Sequence, residues 1–182
     1  MSKRAYEDPE QEQRRIEALA EVRQYGEPVL RTPCDPVAVF DEALRAEVDR
    51  MIQLMHDARG VGLAAPQLGR LSRLIVLAPD PEAEAYALIN PRIVSRSEEE
   101  EVDTEGCLSI GEISVPVSRS IAISVEAQDA GGGSISVEAE GFEARVIQHE
   151  MDHLDGILIL DRTTPQERRE ALREMRDVLS PR

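Results

Sequence analysis

The pattern of the sequence predicts a mixed fold of antiparallel hairpins and two or three helices. Three observations carry that expectation. Residues 121–128 and 134–140 alternate apolar and polar side chains around Gly131-Gly-Gly133, the signature of a hairpin. Leu44, Val48, Met51, Ile52 and Met55 recur at helical spacing behind Asp41. Directly after the hairpin, Gln148-His-Glu-Met-Asp-His153 sets two histidines four residues apart, a spacing that brings both to one face of a helix.

At 182 residues the chain reads as one domain over 21–182, preceded by a charged extension over 1–20. A domain of this size buries about 70% of the surface its unfolded chain exposes. Two Phe, three Tyr and no Trp leave the core to Leu, Ile, Val, Ala and Met. A net charge of −15 repels phosphate backbones and anionic membranes, so neither nucleic acid nor membrane is expected as a partner. Met1 to Glu21 is charged, without the apolar stretch of a signal peptide, and no run approaches membrane-spanning length. Two distant cysteines fit a reducing compartment, and a cytoplasmic location is expected.

Taken in order, residues 1–20 are rich in Glu, Gln and Arg and read as a solvated, partly helical extension. Val22 to Leu30 reads as a short extended segment broken by a turn. Asp41 is a good N-cap for a helix near residues 41–58, with Gly60 as its terminator. The methionines of its stripe are core residues, and His56 at its end is structural or surface. Residues 74–77 and 86–89 read as strands, parted by Pro79, Asp80 and Pro81. The six acids between Glu98 and Glu105 read as a solvated loop. A helix begins near Gly141, and a short apolar run covers 157–160. A last helix runs from Pro165, which suits a first turn, to about Leu179. Its Arg and Glu residues nearly cancel, leaving a narrow apolar stripe.

On the helix from Gly141, His149 and His153 are separated by roughly 40° and 6 Å, so both imidazoles can reach one metal ion. Glu150 lies about 100° round. It is badly placed as a third ligand and well placed to touch a water held by the metal. His-Glu-x-x-His with Glu as general base is a known metal pattern. The alternative is a pair of surface histidines, but two of the three histidines in the chain fall here. A catalytic metal needs a third protein ligand. Asp152 and Asp155 are at hand, and so is Cys107 in Glu105-Gly-Cys-Leu-Ser109. A thiolate with two imidazoles suits Zn(II) or Fe(II) and leaves a position for water. Cys34, near Pro33 and Pro36, reads as a small buried hydrophobe. Gly60-Val-Gly-Leu-Ala-Ala-Pro-Gln67 lacks the features of a phosphate loop, and its glycines let a backbone come close to something.

Gly60-Val-Gly-Leu-Ala-Ala-Pro-Gln67, Glu105-Gly-Cys-Leu-Ser109 and Gln148-His-Glu-Met-Asp-His153, in that order, resemble the three signature motifs of the peptide deformylases. The similarity extends from about Tyr25 to Leu160. It implies an α+β fold with antiparallel sheets packed around a central metal-binding helix, a helix near residues 41–58 and a C-terminal helix. Residues 21–182 would then be a single catalytic metallohydrolase domain. The implied reaction removes the N-formyl group from the formyl-methionine of newly made polypeptides and releases formate. Cys107, His149 and His153 match the metal ligands, holding Fe(II) in cells, with Zn, Ni or Co able to substitute. Such a metal lowers the pKa of its bound water, which is the nucleophile. Glu150 matches the residue that takes the water's proton and passes it to the departing amine. The Gln67 side-chain amide and the Leu108 backbone N–H match the donors to the oxyanion.

The resemblance also implies that the peptide binds extended, as an added strand, along positions matching Val61, Gly62 and Gly106. Phe142 and Val146 stand seven and three residues before His149. With Val61 they are expected to line an apolar pocket for the methionine. Some features depart from the family pattern. Gly111 stands where many relatives have proline, which is expected to loosen the groove rim, and Arg145 takes a position that is apolar in some members. Glu105 is expected to pair with Arg119. Some relatives dock on ribosomes through a basic C-terminal helix. This one is nearly neutral, so only a weak, transient ribosome contact is expected. A zinc endopeptidase would share His-Glu-x-x-His, but Cys107 and the missing distal ligand motif argue against it. A relative that only binds peptide or metal is the other alternative, and the filled catalytic positions argue against that.

Overall fold

A computed structural model of the chain describes residues 8–179. Helix α1 (Pro9–Glu21) starts at Asp8, whose carboxylate accepts the Glu10 N–H. The segment expected to be a solvated extension is here packed against α2 (Glu42–Asp57). Ala18 is buried in a cluster with Leu44, Val48, Met51 and Met55, and Glu21 pairs with Arg50. Residues 1–7 of the expected extension lie outside the described residues. The stretch expected to be extended and broken by a turn does turn at Tyr25 and Gly26, but ends in a short 3-10 helix over Pro28–Arg31, for which a leading proline is preset.

Asp41 caps α2 as the sequence predicts, accepting the Leu44 N–H at 3.0 Å. The stop differs from expectation. Arg59 adopts a φ of +59°, and the Gly60 N–H then bonds back to the Met55 carbonyl at 2.8 Å. The left-handed residue that ends the helix is therefore Arg59 and not Gly60.

Seven strands follow: β1 (Gly62–Ala64), β2 (Leu74–Leu77), β3 (Tyr86–Arg96), β4 (Glu100–Gly106), β5 (Ser114–Ser120), β6 (Ala122–Gln128) and β7 (Ser134–Glu140). Five form one antiparallel sheet in the order β1-β2-β3-β6-β7, and β4-β5 form a separate antiparallel ribbon. The β6–β7 hairpin and the β2–β3 pair stand where the alternation places them. β3 runs further than expected, past Pro91, which cannot donate to a ladder. The pairing with β6 shifts register between Ile89 and Arg92, with Asn90 at φ +53°.

The acidic stretch is a strand rather than a loop. β4 pairs with β5 from Glu100 opposite Ser120 to Gly106 opposite Ser114. Its side chains from Glu100 to Thr104 stay exposed, so the charges keep their water, and only Glu105 turns inward.

Helix α3 (Gly141–Leu154) lies between the sheet and the ribbon, with contacts to β1, β2, β6 and β7 on one side and β5 on the other. Ala144, Ile147, Met151 and Leu154 pack with Ile75, Leu77, Leu88, Ile123 and Val125. The apolar run at 157–160 becomes the entry to α4 (Ile159–Arg162). Leu158, Ile159 and Leu160 join Val115 and Val117 of β5 and Ala171 of α5 (Pro165–Leu179) in another apolar cluster. The α+β arrangement around a central helix is thus as expected. Among the described residues no helix is long and apolar enough to cross a membrane.

The turn after α3 has one strict requirement. Gly156 adopts φ +72°, and a Cβ there would lie 2.7 Å from the Arg31 carbonyl oxygen. Gly156→Ala is therefore expected to lose about 2 kcal/mol or more of stability. Urea denaturation checks this, and an unchanged midpoint would mean that the turn relaxes freely.

Candidate metal centre

Cys107 follows β4 in extended conformation and opens a 3-10 turn, Leu108–Ile110. Its Sγ and a ring nitrogen from each of His149 and His153 lie within 4.8 Å of one another. The two imidazoles stand edge to face with centroids 5.1 Å apart, and His153 Nε2 is 3.3 Å from the thiol. One sulfur and two imidazole nitrogens suit Zn(II) or Fe(II). The other two ligand candidates are committed elsewhere. Asp152 is held by Arg119 and Arg162, and Asp155 by Arg73 at 2.7 Å.

The electrostatics also fit a cation. Burial lowers the His149 pKa, but hydrogen bonds with Cys107 and Glu105 and the Glu150 charge outweigh it and raise the pKa well above its usual value. The cluster therefore draws positive charge. For His153, burial and then the charge on His149 push the pKa well below its usual value, which favours the neutral form a metal needs. His149 Nδ1 faces Glu105 Oε2 at 3.0 Å, which leaves its Nε2 for the metal.

Glu150 lies beside the three. Its side chain is buried, and Oε2 has no hydrogen-bond partner among the described residues. Burial raises its pKa, the charge on His149 lowers it, and Glu105 raises it again; the balance is about 7. The carboxylate rests directly on the backbone of Gly62, where a Cβ would come within 2.8 Å of Glu150 Cγ. The second glycine of the first motif therefore makes room for the acid of the third.

Gln67 is oriented by its surroundings. The Ala64 N–H can only donate, so it takes Oε1 at 2.8 Å. Nε2 must then face the centre, 3.7 Å from Cys107 Sγ and 3.2 Å from Ser109 Oγ. The Gln67 amide thus turns its donor, not its acceptor, toward the thiol.

Behind the ligands runs a buried network. Arg119 grips Glu105 with two hydrogen bonds of 2.9 Å each and reaches Asp152 at 2.6 Å. The expected pairing of Glu105 with Arg119 is present. Burial alone would raise the Glu105 pKa, but hydrogen bonds from His149 and Arg119, with their charges, hold it down at about 2. Arg145 also belongs here. It donates to Glu105 at 2.9 Å and to the carbonyls of Val117 at 2.9 Å and Glu101 at 2.7 Å. Arg145, at a position that is apolar in some members of the family, thus ties the ribbon to α3 while also lining the cavity. The sequence reading missed Ser109, Asp152 and Arg162 as parts of this apparatus. The spacing of Asp152, three residues after His149 and seven after Arg145, was a usable signal for it.

A cavity of about 390 Å³ opens over the centre. Val61, Gly62, Gly106, Phe142 and Val146 all line it, with Gln67, Leu108, His149 and Glu150. Val146 is buried, whereas Phe142 is 55% and Val61 42% exposed, which gives the cavity an apolar mouth. Glu105→Gln removes the charge that orients His149. It is expected to weaken metal affinity about 10–100-fold, measured by competition with a chelator. Loss of stability at unchanged metal affinity would mean that the network serves only the fold.

The family model described as polypeptide deformylase matches residues 19–169. A peptide deformylase of Treponema pallidum (strain Nichols) is 49% identical over 153 residues, covering 84% of this chain and 93% of that protein. One from Thermotoga neapolitana is 48% identical over 147 residues, covering 81% and 88%. The crystal structure of the Thermotoga maritima peptide deformylase superposes with a TM-score of 0.76 at 46% identity, covering 79% of this chain and 97% of that one. The Synechococcus elongatus enzyme, solved in complex with actinonin, gives 0.80 at 40% identity, covering 84% and 85%. With the motifs, the fold and these likenesses in agreement, the chain belongs to the polypeptide deformylase family.

Proposed function

We propose that this centre hydrolyses the formyl group from the N-terminal formyl-methionine of newly made polypeptides, releasing formate in the cytoplasm. Residues 21–182 are the catalytic unit in this reading. The observation that carries it is the convergence of Cys107, His149 and His153 beside Glu150, whose Oε2 has no partner among the described residues, with Cys107, His149 and Glu150 lining one groove. The proposed ion is Fe(II) in cells, and Zn, Ni or Co fit the same donors. Held there, a divalent ion supplies Lewis acidity and brings the pKa of a bound water near neutrality.

The protein's own groups supply the rest. Glu150 takes a proton from the attacking water and hands it to the amine that leaves. A carboxyl with a pKa of about 7 is suited to both transfers. Gln67 Nε2 and the Leu108 N–H donate to the oxygen on which negative charge develops. Both residues line the groove, and the Gln67 amide is fixed by Ala64 before substrate arrives.

Val61, Phe142 and Val146 receive the methionine side chain. The groove lies between the free edges of β1 and β4, which pair on one side only among the described residues, with β2 and β5 respectively. An extended peptide can add to such an edge through backbone bonds at Val61, Gly62 and Gly106, without its later side chains being read. Contact with the ribosome is weak and transient in this reading, since α5 carries acids among its arginines.

Glu150→Gln is expected to keep its metal and lose about 10²–10⁴ in turnover. Normal turnover by that variant would remove Glu150 from its role. Gln67→Leu is expected to slow kcat by about 10²–10³, equivalent to about 2.7–4 kcal/mol of barrier. Both are checked by steady-state kinetics with the metal content assayed in the same samples.

A further inference from the structure

Helix α3 borders another concavity, of about 510 Å³, which shares no lining residue with the groove over the metal centre. Arg92 and Arg96 of β3, Arg73 just before β2 and Arg162 at the end of α4 line it, with Asp152 and Asp155 as its acids. Four arginines against two aspartates leave an excess of two positive charges. Glu126, beside Arg92 and outside the wall, offsets one of them, and Arg119 on the far side of Asp152 restores it. The chain as a whole carries −15, so this surplus runs opposite to its overall charge.

The arginines are held in place without being used up. A guanidinium carries five N–H donors. Arg162 gives Nε and Nη2 to Asp152 at 3.0 and 2.5 Å, and its Nη1 makes no hydrogen bond among the described residues. Arg73 spends Nη1 on Asp155 at 2.7 Å, and Arg92 spends Nη2 on Glu126 at 2.6 Å. Arg96 forms no ion pair among the described residues, and its bond at 2.7 Å goes to the neutral Gln148 Oε1. That amide cannot turn round, because its Nε2 donates to the carbonyls of Ser120 at 2.9 Å and Ala144 at 3.0 Å. A buried side chain of α3 therefore fixes a cation that has no acid of its own at this wall. Arg92 and Arg162 remain open to solvent, and Pro91, Ile93 and Met151 add an apolar bed.

We propose that this concavity is an anion site for a phosphate group, either free or as the monoester of a small organic molecule. Near pH 7 a phosphate monoester brings about −1.5 to −2 charge and three acceptor oxygens. The charge matches the surplus of the wall, and guanidinium forks match the oxygens in pairs. A ligand there ties β3 to α3 and α4 and stabilises the fold. The proposal stands independently of the deformylase reading.

Isothermal titration of the metal-replete protein with inorganic phosphate, against chloride at equal ionic strength, tests it. Saturable binding of phosphate and not of chloride is expected. At about five times its Kd, phosphate should raise Tm by roughly 2–4 °C. Arg96→Gln should weaken binding roughly five- to tenfold. Arg92→Gln gives the same reading should Arg96→Gln disturb the fold. Arg45→Gln, on the exposed face of α2, should leave binding unchanged. Glycerol phosphate binding more tightly than inorganic phosphate would assign the site to monoesters, and equal or weaker binding would assign it to the free ion. Absence of saturable binding would overturn the proposal. So would binding that neither Arg96→Gln nor Arg92→Gln weakens, which would place the phosphate elsewhere.

Discussion

The Glu105 carboxylate of β4 stands between three groups from two other elements: Arg119 on β5, and Arg145 and His149 on α3. A charge buried this deeply survives only when its partners are complete. Each oxygen has two of them, so losing any one leaves the others with an uncompensated neighbour. The arrangement fixes where the ribbon sits against the helix. Cys107 lies two residues beyond Glu105, and the same interaction therefore brings the thiol of one element to the imidazoles of another. It also sets the ring orientation of His149, by claiming Nδ1 and leaving Nε2 for the centre. Asp152 and Arg162 extend the network outward, so the ligand rests on a chain of ion pairs that reaches the surface.

Close approach is the second constraint. The reactive groups come from three distant parts of the sequence, and they fit only because particular backbones are bare. Gly62 admits the Glu150 carboxylate against the first motif. The Ala64 N–H, one residue further but one, holds Gln67 so that its donors face the thiol. Both devices lie next to β1, which pairs with β2 and also contacts α3. The sheet thereby supplies the rigid backing that oriented donors and a buried acid need.

Much of this is legible in the sequence because it follows from local spacing. His149 and His153 share a helical face by arithmetic, and the β6–β7 hairpin announces itself through alternation and three glycines. Asp41 and Leu44 obey ordinary capping rules. What was not legible depends on partners far away in the chain. The acids at 98–105 look like a loop because composition alone cannot show that β5 pairs with them. The role of Arg145 is not legible because nothing local reveals Glu105 waiting opposite. Asp152 looked like a possible ligand, when the distant Arg119 decides that it is a support. The end of α2 was misplaced by one residue because glycine is favoured for a left-handed turn, whereas Arg59 takes that conformation here.

The account turns on a cation and a buried carboxylate cooperating at one formyl group. It is tested most directly by formate release from a formyl-Met tripeptide, using anaerobically purified protein with metal assayed in the same sample and the acetylated peptide as control. Rapid release with about one Fe(II) per chain, and none from the acetylated peptide, is the predicted result. Full metal occupancy without formate release would contradict it and leave a centre that binds metal without this chemistry.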